Sequence, residues 1–238
     1  MALVAGLAIV RNEPFPTSGE LGLALIGGIL GGIGITALYR GLALGRMGIV
    51  APITGVLAAV IPVVAGFALE GWPDPLVLVG IVVAILAVVL VSRVADETGG
   101  RAGLAEALIA GTAIGLFGIV ISQLPEGHVF APLTVIRGVQ ALLVVGIVIV
   151  TRSAWRPPAG MLPLLAAIGV TDMAGNALYI VAVQTGALAI ASVLSALYPV
   201  TTVILAAVLL KERVTREHAV GIGLAVAAIA CIGLGSTA

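Results

Sequence analysis

Eight apolar segments of 17–24 residues, separated by short polar breaks, constrain this chain more than any other feature of its sequence. About 20 helical residues cross the apolar part of a bilayer, and in lipid only a helix satisfies every backbone polar group within one segment. The pattern predicts an all-α integral membrane protein with eight full transmembrane helices, preceded by a short helix in the apolar stretch 1–10. The segments are Leu21–Leu44, Gly48–Leu69, Pro75–Ser92, Gly103–Leu124, Ala131–Val150, Met161–Gln184, Ala187–Leu210 and Ala219–Gly235.

Composition agrees with lipid as the main solvent. Of 238 residues, 61% are hydrophobic and 9% are charged, whereas soluble domains average about 45–50% and about 25%. The net charge is zero and the basic residues are scattered, so nucleic acid is not an expected partner. Cys231 is the only cysteine, which excludes an internal disulfide and a CxxC metal or redox site. The sequence contains no phosphate-binding loop, HExxH or GxSxG motif, and we expect no catalytic site, metal or cofactor.

The two halves of the chain contain an internal repeat. Ala37–Tyr39 recurs as Ala177–Tyr179, at an offset of 140, and Gly80 recurs as Gly221, at an offset of 141. The alternative is a chance match between apolar sequences, but the matched elements occur in the same order in both copies. Five predicted helices separate equivalent points, so the second copy is inverted relative to the membrane. Inverted repeats are typical of secondary transporters, which bind substrate near the midplane at the repeat interface.

Two segments carry a resemblance to a known family. Residues 169–236 closely resemble the closing helices of EamA-type proteins of the drug/metabolite transporter superfamily, and their most specific segment is SALYPVTTVILAAVLLKERVT, residues 195–215. Residues 37–71 are similar to the matching part of that family's first repeat. The resemblance implies ten helices in two five-helix repeats, and export or exchange of small metabolites, amino acids or drugs.

The start of the chain departs from the family pattern. The first helix of the first repeat is missing and the second is reduced to residues 1–10. We therefore expect about 50 further residues ahead of Met1 in the native protein, or a partner helix, because ten residues are too short to span a bilayer. The predicted organisation is an incomplete first repeat over residues 1–94, a linker over 95–102 and a second repeat over 103–238.

Asp172 is the twelfth of 24 residues in its apolar segment, close to the predicted bilayer centre. A carboxylate at this depth costs about 2.5–3.5 kcal/mol on insertion scales, so it should face the interior of the helix bundle. Asn176 and Tyr179 follow at spacings of four and seven residues and extend one polar helix face. This stripe is either a substrate or proton site, or a set of interhelical hydrogen bonds, and the sequence leaves both readings open.

Arg137 lies six residues into its apolar segment. Its guanidinium either extends to the interface, which is the reading we prefer, or pairs with Asp172. Its position also resembles that of an arginine that recurs in the family. Tyr39 is the repeat equivalent of Tyr179, and the neighbouring Arg40 raises the same question as Arg137.

Pro199 is the thirteenth of 24 residues in its apolar segment. A proline there removes the hydrogen bond to the carbonyl of Ser195 and kinks the helix. The freed carbonyl, together with the side chains of Ser195 and Tyr198, is predicted to line a cavity. Alternatively, neighbouring groups satisfy the backbone, as they do in many membrane helices.

The basic residues of the loops are unevenly divided. Eight of them fall on one predicted side and only Arg11 falls on the other. This bias indicates a cytoplasmic location for the eight-charge side and an external C-terminus, whereas the family resemblance implies a cytoplasmic C-terminus. The two indications disagree, and the orientation is left open.

A secondary transporter or facilitator of the plasma membrane, working by alternating access, is the function that these features favour. A non-transporting membrane subunit or fragment is the first alternative, and an intramembrane lipid-modifying enzyme is the second. The expected partners are the lipid bilayer and a small-molecule substrate, with a homodimer as a further option. The predicted substrate-binding residues are Tyr39, Arg137, Asp172, Asn176, Tyr179, Ser195 and Tyr198.

Overall fold

A computed structural model describes residues 2–44, 47–92, 103–152, 158–205, 208 and 216–235 of the chain. Within these ranges the regular structure is helical throughout. The predicted linker 95–102 and most basic loop residues lie outside them. The helices are α1 (Ala2–Val10), α2 (Ser18–Ala43), α3 (Met47–Glu70), α4 (Pro75–Ser92), α5 (Leu104–Ser122), α6 (Phe130–Thr151), α7 (Leu162–Thr185), α8 (Leu188–Ala196), α9 (Tyr198–Leu205) and α10 (Arg216–Gly235), with a 3₁₀ turn at Ala159–Met161.

Helix length and hydropathy in the described part of the chain agree with a membrane protein. Five helical stretches are long and apolar enough to cross a bilayer, and two shorter apolar helices accompany them. The chain is therefore an all-α, multi-pass membrane protein, while the count of eight crossings stays a prediction. The five stretches are Ser18–Ala43, Ile53–Glu70, Leu104–Ser122, Phe130–Thr151 and Leu162–Thr185; the shorter ones are Pro75–Leu90 and Ala219–Gly235.

Local sequence signals set several helix ends. Thr17 and Glu20 form a capping box at the start of α2, in which the Glu20 carboxylate accepts from the Thr17 N–H at 3.0 Å and the Glu20 N–H donates to the Thr17 hydroxyl at 3.4 Å. Asp74 caps α4 by accepting from the Leu76 N–H at 2.8 Å, with a proline at the first helical position. Gly71 follows α3 with φ of +92°, the left-handed conformation that glycine adopts at helix C-termini.

The apolar segment that was predicted as one helix over 187–210 is interrupted in the structure. Helix α8 ends before Leu197, whose N–H donates to the Leu194 carbonyl at 3.3 Å, the spacing of a tighter turn. The proline at position 199 has no N–H for the Ser195 carbonyl, which accounts for the break. Helix α3, in contrast, continues through Pro62, whose side chain is fully buried.

Contacts divide the chain into two compact units, and the second unit consists of residues 33–119 and 186–238. Its apolar core joins α3, α4, α8, α9 and α10. Helices α4 and α10 pack closely because glycine lies at their contact: a Cβ on Gly80 would be 2.7 Å from Ile232, and one on Gly235 would be 2.8 Å from Val77. Residue numbers increase along one helix as they decrease along the other, so the pair is antiparallel.

Glycine also sets the contact of α3 with α5 in the second unit. A Cβ on Gly111 would be 2.6 Å from Leu57, and one on Gly115 would be 2.8 Å from Ile61. This pair of glycines is a Gly-x-x-x-Gly motif, whose small residues let helix backbones approach in membranes. A second such motif, Gly41-x-x-x-Gly45, is described only at its first glycine.

The first unit consists of residues 1–32 and 120–185. In it α1 packs against α6, and α2 packs against α6 through the motif Gly28-x-x-x-Gly32. A Cβ on Gly28 would be 2.5 Å from Val139, and one on Gly32 would be 2.7 Å from Leu143. Helices α6 and α7 of this unit carry the polar side chains of greatest interest.

Candidate functional site

An ion pair joins two apolar helices of the first unit. Arg137 of α6 donates from Nη2 to Oδ2 of Asp172 on α7. The Arg137 side chain is 20% exposed and that of Asp172 is 52% exposed. The preferred reading of the sequence, in which Arg137 extends to the interface, is wrong. A guanidinium in apolar surroundings is stabilised most by a carboxylate within its reach, and the long arginine side chain brings Asp172 within reach.

Each member of the pair is held by a polar neighbour one helical turn away. Arg137 Nη1 donates to Gln140 Oε1 at 2.8 Å. The Asn176 amide donates to the backbone carbonyl of Asp172 at 2.8 Å and to its Oδ1 at 3.4 Å. Spacings of three and four residues place such side chains on one helix face, as the sequence predicted for Asn176. The pair therefore has a fixed geometry rather than two freely rotating side chains.

One edge of the Arg137 guanidinium does not make all the hydrogen bonds that it can donate. Arg137 Nε is buried and has no hydrogen-bond partner among the described residues. Nε and one Nη form the edge that binds a carboxylate with two parallel hydrogen bonds. Asp172 engages Nη2 through a single oxygen, so the guanidinium retains capacity for another anionic oxygen.

The other predicted site residues are distributed over both units. Tyr179 is half-buried on α7, within the first unit. Tyr39, Ser195 and Tyr198 belong to the second unit, where Tyr39 is 62% exposed, Tyr198 is 48% exposed and Ser195 is exposed. The Tyr198 hydroxyl lies beside Gly55, at 3.9 Å from the position that a Cβ there would take. Of the predicted set, the structure brings Arg137, Asp172 and Asn176 into direct contact.

The environment of Arg40 differs from that of Arg137. Its Nε lies 3.5 Å from Oε1 of Glu106 on α5, and its side chain is 77% exposed. A surface pair of this kind contributes about 0–1 kcal/mol. Sequence reasoning also missed the polar residues Glu13, Glu20 and Gln184 near helix ends; the Thr-x-x-Glu pattern was a usable signal only for Glu20.

An apolar groove of about 620 Å³ also lies in the first unit, between α2 and α6. It carries one hydroxyl and no charged group, so it offers nothing that fixes the orientation of a polar solute. We therefore centre the candidate site on the ion pair rather than on this groove. The groove residues are Ile29, Val139, Leu142, Leu143, Gly146, Ile147, Val150 and Thr151.

Comparison with known proteins identifies the family. The sequence profile of the EamA-like transporter family matches residues 101–234, more than half of the 238 residues. No curated protein matches the chain in sequence. Seven chains of solved structures match. One of them, described as the crystal structure of a protein, superposes on this chain with a TM-score of 0.78 at 15% sequence identity. The match covers 98% of this chain and 82% of the other chain, and it shows a shared fold. The chain is thus a member of the EamA-like transporter family, of the drug/metabolite transporter type.

Proposed function

We propose that the chain is a secondary carrier that exports or exchanges a small metabolite, amino acid or drug across the plasma membrane by alternating access. The proposed architecture has eight full transmembrane helices and a short N-terminal helix. These form an incomplete first repeat over residues 1–94 and an inverted second repeat over residues 103–238. The lipid bilayer, a small solute and a homodimeric partner are the proposed partners.

The helices that carry the paired residues support the repeat. Ala37–Tyr39 lies in α2 and Ala177–Tyr179 lies in α7, 140 positions later. Gly80 lies in α4 and Gly221 lies in α10, 141 positions later. Helices α3 and α8 follow α2 and α7, so they take the same place in the two copies.

Packing between equivalent helices supports the inversion. A two-fold axis in the membrane plane would make equivalent helices that meet at the axis run antiparallel. Helices α4 and α10 are equivalent and antiparallel. Helix α3 also runs antiparallel to the stretch formed by α8 and α9, since Glu70 binds Leu188 at the start of α8 while Gly55 lies near Tyr198 at the start of α9. Helix α1 packs against its equivalent, α6.

The single observation that carries the transport proposal is the ion pair of Arg137 and Asp172 within two apolar helices. Charged groups inside a membrane are rare, and they mark solute and ion pathways or proton relays. Asn176 holds the carboxylate and is part of the proposed site. We also propose solute contacts for Tyr179 and, from the second unit, for Tyr39, Ser195 and Tyr198.

The environment of Arg137 restricts the chemical class of the proposed solute. The Arg137 side chain is 20% exposed and its Nε is buried, and a desolvated guanidinium without an anionic partner is destabilising. A solute that displaces Asp172 from Arg137 must therefore supply an anionic group. Acidic and zwitterionic solutes meet this condition, whereas neutral sugars do not.

Efflux from proteoliposomes tests the proposal. Vesicles that contain the purified chain are loaded with an isotope-labelled metabolite extract, and release is followed by mass spectrometry against protein-free vesicles. At least one acidic or zwitterionic solute should leave faster with the protein present. Arg137→Gln and Asp172→Asn should each slow its release by about tenfold or more, because a hydrogen bond to a charged group contributes about 1.5–3 kcal/mol.

Arg40→Gln is the matched control. It also removes a guanidinium that faces a carboxylate, but outside the proposed site, and its release rate should equal that of the wild type. Release of no solute above the protein-free background would reject the carrier in favour of a non-transporting subunit. Equal losses in all three variants would reject the site.

A further inference from the structure

The loop between α5 and α6 is bound to the segment that follows α1, within the first unit. The Glu13 carboxylate accepts hydrogen bonds from the backbone N–H groups of Ala131 at 2.7 Å and Val129 at 3.4 Å. These donors belong to the first turn of α6, where free N–H groups and the helix dipole favour a negative charge. The Arg11 guanidinium lies over the Phe130 ring at 5.6 Å from its centroid.

The same loop is bound to α2 and α7. His128 Nδ1 lies 3.2 Å from Glu20 Oε1, and both side chains are largely buried, at 25% and 8% exposure. The Gln184 amide donates to the Pro125 carbonyl at 2.7 Å and to the His128 carbonyl at 3.2 Å. We call Arg11, Glu13, Glu20, His128 and Gln184 the end cluster. It ties four segments of the first unit together at one end.

Burial along α6 changes from this end to the other. The first turns of α6 are packed, with Leu133 and Ile136 at 0% and 1% exposure. The last turns are open, with Leu142 at 73% and Val150 at 83%. Packing therefore loosens with distance from the end cluster.

Helix α7 shows the same gradient in the opposite chain direction. Residues 161–172 are all exposed, whereas Ile180 and Val183, near the end cluster, are buried. Arg137 and Asp172 lie at the boundary between the packed and the open parts. Packed apolar side chains thus separate the ion pair from the end cluster, whereas the side chains beyond the ion pair on α6 and α7 are exposed.

We propose that the end cluster is the closed gate of the carrier, held shut by Glu13 at the N-terminus of α6 and by the contact of His128 with Glu20. The proposal rests on the carrier function above, because a gate has a role only if solute passes. Simple capping of α6 would explain Glu13 alone. It does not explain why His128, Glu20 and Gln184 bind the same loop, or why packing loosens away from it.

Cysteine accessibility tests the gate without any knowledge of the solute. Cys231 is the only native cysteine, so Cys231→Ser provides a background free of thiols. Ile180→Cys, at a position with 0% exposure beside the end cluster, then reports opening through its rate of labelling by a membrane-impermeant maleimide in proteoliposomes. Val183→Cys is the second reporter if the first does not yield folded protein.

Glu13→Ala should raise the labelling rate by about tenfold, because a charge-assisted hydrogen bond is lost from the closed state alone. Glu70→Ala is the matched control: Glu70 caps α8 through the Leu188 N–H at 3.0 Å and lies outside the end cluster. Its labelling rate should stay at the background value.

His128→Ala tests the second contact of the gate. It removes the ring nitrogen that lies 3.2 Å from Glu20 Oε1, so labelling should accelerate, as it does in Glu13→Ala. No acceleration by Glu13→Ala or by His128→Ala, or equal acceleration by Glu70→Ala, would overturn the proposal. Because labelling needs no solute, these outcomes are independent of the efflux result, and efflux can fail while the gate still opens.

Discussion

Gly80→Ala is the sharpest test of how α4 and α10 pack in the second unit. The added Cβ would lie 2.7 Å from Ile232 Cγ1, 3.0 Å from the Ala228 carbonyl oxygen and 3.1 Å from the Ile232 backbone nitrogen. Two of these atoms are backbone, so no rotamer change removes the clash and α10 must shift. Overpacking of this kind costs about 1–3 kcal/mol. A cost of about 2 kcal/mol lowers Tm by about 4–8 °C in a chain of this size.

The assay is the fraction of monodisperse protein that remains in detergent after a series of heating steps. Gly223→Ala on α10 is the matched control, because a Cβ there meets nothing within 4 Å and alanine is a better helix former than glycine by about 1 kcal/mol. Gly223→Ala should melt at the wild-type temperature or slightly above it. Equal melting temperatures for the two variants would refute the close contact of α4 with α10.

Two smaller effects concern polar contacts of the second unit. Glu70→Ala removes the carboxylate that accepts from the Leu188 N–H at 3.0 Å, and should lower the free energy of unfolding by about 0.5–2 kcal/mol, whereas Glu70→Gln should lose less; equal losses would contradict a capping role. Thr54→Val removes a buried hydroxyl that donates to the Ala107 carbonyl at 3.4 Å. Thermal unfolding should show a loss of about 1 kcal/mol or less, and a larger loss would mean that this bond is stronger than its length indicates.

The limits of the helices could be predicted because lipid restricts the chain to helices and polar residues lie between them. The predicted start of the span at Pro75 coincides with the start of α4, since Asp74 and the proline that follows it define a helix start. The break near Leu197 follows from the proline at position 199. That the chain is interrupted between α8 and α9, rather than bent within one continuous helix, depends on the packing of α8 in the core and has no local signal.

Helix partners could not be predicted in the same way. Apart from the polar stripe of α7, the membrane helices are apolar on every face, so the sequence contains almost no polar face that identifies the buried side. Contacts are decided by where glycines meet large side chains, as Gly111 meets Leu57 and Gly28 meets Val139. A single sequence shows which residues are small but not which helix each of them faces.

The sequence predicted the pairing of Arg137 with Asp172 only as the second of two alternatives. The depth of the two residues in their helices explains why. Arg137 lies seven residues after the start of α6 and Asp172 lies thirteen residues before the end of α7. In antiparallel helices this is a mismatch of six residues, or about 9 Å along the axis. Because of this mismatch in depth, the sequence favoured separate roles for Arg137 and Asp172. The long arginine side chain spans it, which residue numbering alone does not reveal.

A double-mutant cycle on Arg137→Gln and Asp172→Asn separates a solute site from a structural contact. Each single variant leaves one charge without its partner, and for buried pairs that costs about 3–5 kcal/mol. Asp172 is 52% exposed, so solvent screening should reduce the cost in each single variant. The double variant keeps hydrogen-bonding groups and removes both charges. Its unfolding free energy should recover, with a coupling of about 0.5–3 kcal/mol.

Transport by the same variants shows whether this coupling free energy reflects a solute site or a structural contact. If the pair binds solute, the double variant regains stability but not efflux, because neither the guanidinium nor the carboxylate is present to bind the solute. If the pair only holds α6 against α7, stability and efflux recover together, and the site proposal is wrong. A coupling close to zero would instead show that Arg137 and Asp172 do not pair in the folded protein. Stability and transport must therefore be measured on the same four proteins, since neither alone distinguishes a binding charge from a structural one.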